Sequence, residues 1–251
     1  MTRDPLSRIL ALAAVAVFPA LASAHAPASS LDLDLLAVGQ DRNQAQIPNN
    51  ATGTRVDLAD VLGDGPWTSV RLTWATPGFG EGQQWRVMLA PLEIEEAGML
   101  RAPVTFNGAT FAPGAVRAGY RFNSWRLSYR WPVLRTAHWQ WHAGLTAKVR
   151  DAGISLSQAG VAVRKANVGL VPLAHVAGEA SYGDWRVSVD GDGLASPQGR
   201  AFDIGVRAGY AFTPTTEAFV GLRTLEGGAD NDEVYNFAWF NQVSLGVRVR
   251  Y

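Results

Sequence analysis

Apolar and polar residues alternate along nearly the whole chain after residue 30. In LDLDLLAV (31–38), Leu31, Leu33 and Leu35 oppose Asp32 and Asp34. In WTSVRLTWAT (67–76), Val70, Leu72 and Trp74 oppose Ser69, Arg71 and Thr73. HWQWHAGLTAKVR (138–150) sets Trp139, Trp141, Leu145 and Val149 against His138, Gln140, His142, Thr146, Lys148 and Arg150. From Tyr235 to Tyr251 the odd positions are apolar or aromatic except Asn241. Side chains of a strand point to opposite faces with period 2, so these segments are two-faced strands. No long stretch sustains 3.6-residue periodicity, and Gly and Pro punctuate the chain, which predicts an all-β domain. Ten strands are expected, at about 31–39, 67–76, 83–94, 114–131, 138–150, 168–181, 184–193, 200–212, 215–225 and 235–251.

One segment is ambiguous. Around Asn123 the apolar set passes from Val116, Ala118, Tyr120 and Phe122 to Trp125, Leu127, Tyr129 and Trp131. Either one long strand carries a bulge there, or Asn123-Ser124 is a tight hairpin. The hairpin implies twelve strands, with VTFNGATF (104–111) or GISLSQAG (153–160) supplying the missing partner. Ten is the preferred number within a range of eight to twelve.

Alternation alone does not separate a soluble sandwich from a membrane barrel, because the barrel shows the same pattern turned inside out. Three features favour an antiparallel up-and-down transmembrane β-barrel. Aromatic residues gather at strand ends (Trp67, Trp85, Trp125, Trp131, Trp139, Trp141, Trp185, Tyr210, Phe212, Tyr251), where amphipathic rings suit the headgroup level. Gly144, Gly205, Gly209, Gly221 and Gly246 lie on the polar face, as a narrow, filled lumen requires. Short connections (77–82, 132–137, 181–184, 212–215) alternate with longer ones (39–66, 95–113, 151–167, 193–200, 226–234).

The N-terminus adds a compartment. Arg3 and Arg8 precede an apolar run from Ile9 to Ser23 that closes on Ala22-Ser23-Ala24. This is the form of a cleaved secretory signal peptide over 1–24, with cleavage read from Ala22 and Ala24, leaving 25–251 as one domain. The run is too short for a spanning helix, and Pro19 interrupts it. The 251 residues carry 22 basic and 22 acidic side chains, so nothing points to nucleic acid as a partner. There is no cysteine, which excludes disulfides, thiol nucleophiles and thiolate metal sites.

The signal peptide, the alternating strands and the terminal Val247-Arg248-Val249-Arg250-Tyr251 resemble bacterial outer-membrane β-barrel proteins. The resemblance covers residues 31–251 as an architecture. It implies an outer-membrane location, with outer-membrane lipid and lipopolysaccharide as surroundings. It also implies that the assembly machinery reads Val247, Val249 and Tyr251. AKVRDAGISL (147–156) and LEGGADNDEVYNFAWF (225–240) also look like a small family of uncharacterised outer-membrane proteins, which brings no activity with it.

Enzymes among these barrels resemble one another in placing His with Ser, Glu, Asn or Asp. Here an antiparallel pairing of 138–150 with 168–181 sets His142 opposite His175 and Glu179 opposite His138. With Ser181 these form a candidate acyl-transfer group; the alternative is a set of polar residues filling a lumen. Asp190, Asp192, Asp230, Asp232 and Glu233 are carboxylates near outer loops that can offer calcium oxygen ligands, but no twelve-residue calcium loop is present. Solvated loops against lipopolysaccharide are the plainer reading, and no cofactor is expected. Arg86, Lys148, Arg150, Glu179, Asp190, Asp203, Arg207 and Arg223 fall on the polar face with both signs. Buried charges must pair, and ten strands enclose far less than the roughly 16 of an aqueous porin. The expected protein is non-enzymatic, with a structural, envelope-maintenance or ligand-binding role and a narrow, charge-filled lumen. A narrow solute channel and a lipid- or peptide-modifying enzyme are the alternatives.

Overall fold

The structure, a computed structural model, describes residues 29–251. The segment read as a signal peptide, Ala22 and Ala24 with it, lies outside the described residues. The chain forms a closed antiparallel barrel of ten staves. They are, in order round the wall, β1 (Ser30–Gln46), β3 (Trp67–Pro77), a broken stave of β4 (Gln84–Ala90) and β5 (Glu93–Leu100), β8 (Gly114–Arg135), β9 (Trp139–Gln158), β10 (Val161–Tyr182), β11 (Trp185–Ser196), β12 (Gly199–Ala211), β13 (Thr216–Asp230) and β14 (Tyr235–Arg250). β14 returns to pair with β1 along most of its length, with Leu33 opposite Val247 and Leu35 opposite Leu245. Three short elements complete the chain: β2 (Val56–Asp57), helix α1 (Leu58–Leu62) and the hairpin of β6 (Val104–Phe106) and β7 (Ala109–Phe111).

The faces are inverted relative to a soluble protein. On β1, Leu31, Leu33 and Leu35 are exposed and Asp32 and Asp34 are buried. The pattern recurs round the wall: Leu145, Val176, Ile204, Val220, Leu222 and Val243 stand outward, while Arg71, Arg126, Lys148, Asp203 and Arg223 point in. At the end where Ser29 pairs with Tyr251, the terminal end, rings pack against one another on the outer wall. Trp85 meets Tyr129 at 4.4 Å, Trp139 meets Trp141 at 5.4 Å, and Trp185 meets Tyr210 at 5.3 Å between centroids. Tyr251 joins them, its hydroxyl accepting from Trp74 Nε1 at 3.0 Å. Toward the other, distal end the outer wall becomes polar. Asn241 donates to Asp41 at 2.6 Å, and Glu226 binds both Arg42 (2.8 Å) and Arg200 (2.8 Å). Asn241, the lone polar residue of its face, therefore marks the edge of the apolar band.

Four expectations need correction. No bulge and no hairpin lies at Asn123, because β8 keeps one register against β9 from Arg117 to Pro132 and its even residues face inward throughout. What changes there is the interior, from apolar Val116, Ala118 and Tyr120 to polar Ser124, Arg126, Ser128 and Arg130. The 104–111 segment adds no stave; Asn107 and Gly108, both at positive φ, turn it into a hairpin of its own. The long connection at 151–167 is mostly strand, because Ala159-Gly160 forms a tight turn and β9 and β10 pair up to it. Trp67 is not on the outer wall but points in, donating to Glu96 at 2.9 Å.

The distal half of the bore is partly plugged. Leu58, Val61 and Leu62 of α1 and Phe106 and Phe111 of the hairpin pack on Val38, Ile94, Ala118, Leu156 and Phe240 from the wall. The wall itself is interrupted there. Pro91 lies in the gap that splits the third stave, and β5 pairs with β8 but with no strand on its other side. The segment after β2 fills that seam. Its Asp64 carbonyl accepts from the Gln40 amide at 3.1 Å, and the missing side chain of Gly98 on β5 makes room for the Val61 carbonyl.

Two predictions follow from closure and from the distal edge. Paired strand positions bring Cα atoms within disulfide range, so Leu33→Cys with Val247→Cys should cross-link on oxidation and run faster on a denaturing gel. A pair offset by four residues, Leu33→Cys with Val243→Cys, should not; equal linking of both pairs contradicts this register. The hydrogen bond from Arg200, joined by the charges of Arg200 and Arg42 and opposed by burial, holds the Glu226 carboxyl below its ordinary value. A depressed carboxyl stabilises the fold above its unfolded pKa and loses that contribution as pH falls through the folded one. Amide exchange at the distal ends of β12 and β13, corrected for intrinsic rate, should therefore quicken as pH falls below about 4. Glu226→Gln should quicken it at neutral pH, and unchanged protection in both cases rules the contact out as a stabiliser.

Candidate functional site

The interior is built in layers from inward positions of the staves. Nearest the terminal end, Arg248 holds Asp32 at 2.7 and 2.8 Å, Arg250 holds Glu217 at 2.6 Å, and Arg207 reaches Asp32 at 2.9 Å and Asp34 at 3.1 Å. Arg71 adds a 3.7 Å contact to Asp34 and donates to Gln242. Arg130 binds Glu179 at 3.2 Å and Gln84 at 2.8 Å. Glycines make space for these long side chains. A Cβ on Gly205 would stand 2.5 Å from the Arg223 guanidinium, which lies flat across that position.

The middle layer crosses the bore. Arg126 of β8 binds Asp192 of β11 at 2.6 Å and also Asp203 of β12, four staves away round a ring of ten. Arg223 binds Asp190 at 2.7 Å and Asp203, and Arg86 approaches Asp190 at 3.9 Å from β4. Asp192 collects two further bonds, from Thr146 Oγ1 at 2.7 Å and with His175 Nδ1 at 2.9 Å, and Ser128 meets Thr146 at 2.7 Å. Above this layer on β9 come Lys148 and then Arg150, facing a distal cavity of about 890 Å³.

The candidate acyl-transfer residues do not come together as one group. His142 stands opposite Ala177 and His175 opposite Gly144, so the two histidines are offset by two positions on one face. Glu179 stands opposite Gln140 rather than His138, and its partner is Arg130. His138 lies in the turn before β9, stacked on Tyr182 at 5.0 Å. Ser181 is exposed, opposite Arg186. His142 is buried with neither ring nitrogen bonded. The nearest thing to a triad is His175 with Asp192, and the hydroxyl beside it, Thr146, donates to the same carboxylate instead of facing the free Nε2.

The acidic residues divide. Asp190 and Asp192 are not in an outer loop but inside the barrel, each held by arginine. Asp230 accepts from Asn49 at 2.8 Å, and Glu233 lies 3.2 Å from Lys165, both at the distal end with Asp232. Among the described residues no three His, Cys, Asp or Glu side chains are grouped to hold a metal. On β14, Val247 and Val249 face outward beside Tyr251. Arg126 and Arg130 carry much of the network and escaped the sequence reading. The alternation in WRLSYRW already put them on the inward face, but the apparent phase change at Asn123 obscured which face that was.

No protein-family model matches the chain, and no curated protein does. Among solved structures, the outer membrane protease OmpT of Escherichia coli aligns with a TM-score of 0.56 at 10% identity, over 89% of this chain and 96% of that one. Ail, the attachment invasion locus protein of Yersinia pestis, aligns at 0.40 and 9% identity, over 89% and 97%. The NalP translocator domain of Neisseria meningitidis aligns at 0.40 and 8% identity, over 91% and 90%. The fold is thus that of bacterial outer-membrane β-barrel proteins.

Asp203 joins two arginines in the middle layer, and removing one member of a buried ion group leaves the other charge uncompensated. Asp203→Asn should cost about 3–5 kcal/mol in urea unfolding from lipid vesicles. A loss below about 1 kcal/mol shows that the network is not a stabilising one.

Proposed function

We propose that this chain is an integral outer-membrane barrel, exported by its signal peptide, that carries no current and serves the envelope by binding a ligand at its distal end. The observation that carries the reading is the inverted wall combined with ion pairs that cross the bore. Apolar side chains face outward in a continuous band, which only lipid suits. Inside, the link of Arg126 to Asp192 and Asp203 blocks the path that a solute would take. The clustered rings at the terminal end fit a headgroup girdle, with Tyr251 in it as the residue read by the assembly machinery. The polar outer wall at Arg42, Glu226 and Arg200 then stands at the level of lipopolysaccharide. The distal cavity of about 890 Å³ is a large recess left beside the plug, and it supports ligand binding over a purely structural role.

A folded sample should resist SDS and change its gel mobility only on boiling. In planar bilayers it should show no stepwise conductance. Extraction by salt without detergent overturns the membrane reading, and regular openings overturn the closed bore in favour of a narrow channel.

A further inference from the structure

The charge network leaves two inward cations of β9 out of its ion pairs. Lys148 is 2% exposed, yet among the described residues it makes no ion pair and no hydrogen bond. Its Nζ rests 4.6 Å from the centre of the Phe122 ring. The carboxylates of the layer beneath, Asp192 and Asp203, are already taken by Arg126, Arg223, Thr146 and His175. One inward step above, Arg150 gives a single bond, from Nη2 to Asn167 at 2.8 Å, and among the described residues makes no ion pair. An ammonium ion out of water needs a counter-charge, and attraction to a ring face offsets only part of its lost hydration.

Both cations line the cavity of about 890 Å³, whose other walls include Tyr120, Phe122, Ile154 and Leu225. That volume is within the range of sites that enclose small organic molecules. Gln198, Asn231 and Asp232 from the distal turns also line it, and so does Leu170 on the outer face, so it opens at the distal rim and beside the wall above Ala174, where β10 and β11 no longer pair. The arrangement combines unpaired positive charge at depth, apolar and aromatic sides, and entry from the aqueous end.

We propose that this cavity binds a small amphipathic carboxylate. The carboxylate pairs with Lys148 Nζ and the free edge of Arg150, and the apolar body lies against Tyr120, Phe122, Ile154 and Leu225. This rests on the ligand-binding reading above and names its ligand class. A lone ammonium with one guanidinium edge suits a monoanion, and the apolar walls favour a ligand with few other polar groups.

The test uses the full mature chain refolded in phosphatidylcholine vesicles, with 2-naphthoate as probe and calorimetry as readout. One molecule should bind per barrel. Lys148→Met should weaken it by about tenfold or more, as loss of a buried charge partner does. Arg150→Gln should weaken it in the same direction. The neutral analogue 2-naphthylmethanol should bind wild type and Lys148→Met alike. Both variants are compared only where the boiling-dependent gel shift is retained; if Lys148→Met does not fold, Arg150→Gln carries the comparison. No binding of 2-naphthoate by a barrel that keeps its gel shift overturns this proposal and leaves the membrane reading standing. Equal affinity of variants and wild type overturns it as well. Inorganic phosphate binding as tightly as 2-naphthoate overturns the amphipathic part, since the walls then contribute nothing.

Discussion

Closure of β14 onto β1 is the constraint from which the rest follows. A sheet facing hydrocarbon can leave no backbone amide unpaired, and only a closed wall satisfies every one along the band. Closure with ten staves then fixes a bore narrow enough for side chains of distant staves to meet and too wide for backbone contact. Because the outer positions are apolar, every second residue must point into that bore. The inward set therefore carries the polar chemistry that the outer face excludes, and it must satisfy itself.

It does so in two ways along one axis. In the terminal half, arginines and carboxylates answer one another across the space, with Asp32, Asp34, Asp190 and Asp203 each shared between two guanidinium groups. Sharing gives each guanidinium group a carboxylate contact and makes each of these carboxylates a joint between staves. In the distal half the inward residues turn apolar and take in α1 and the β6–β7 hairpin as an ordinary hydrophobic core. The two regimes meet at Ser124 and Lys148. There Lys148 faces the Phe122 ring, and the cavity lies on that boundary.

Much of the architecture was legible in the chain because period-2 alternation survives inversion. The strand positions, the ten-stave number and the inward face of Arg86, Lys148, Asp203 and Arg223 all follow from it. The tops of the strands were not legible. Above the lipid band both faces of residues 151–167 are mixed, so alternation gives way even though the ladder continues. At Asn123 alternation misled for a physical reason: the register is unbroken, but the inward side changes from apolar to polar, which in sequence looks like a slip of one residue. The partners of His175 and Glu179 were beyond sequence reading, because they depend on the exact register of β10 with β11 and on stagger across β9. Asp192 lies close to His175 through pairing of β10 with β11, whereas Arg130 reaches Glu179 across β9.

The seam between β1 and β5 gives the two halves of the cylinder different mechanics. At the base the hydrogen-bond ladder runs all the way round, so girth is set by stave number and stagger, as with a hooped cask. At the distal end the hoop is parted, and the peptide after β2 acts as a wedge driven into the gap. Girth there is set by the volume of the wedge. Residues such as Val61 and Leu62 thus act on the width of the cavity mouth from the far side of the bore, without touching anything that enters it.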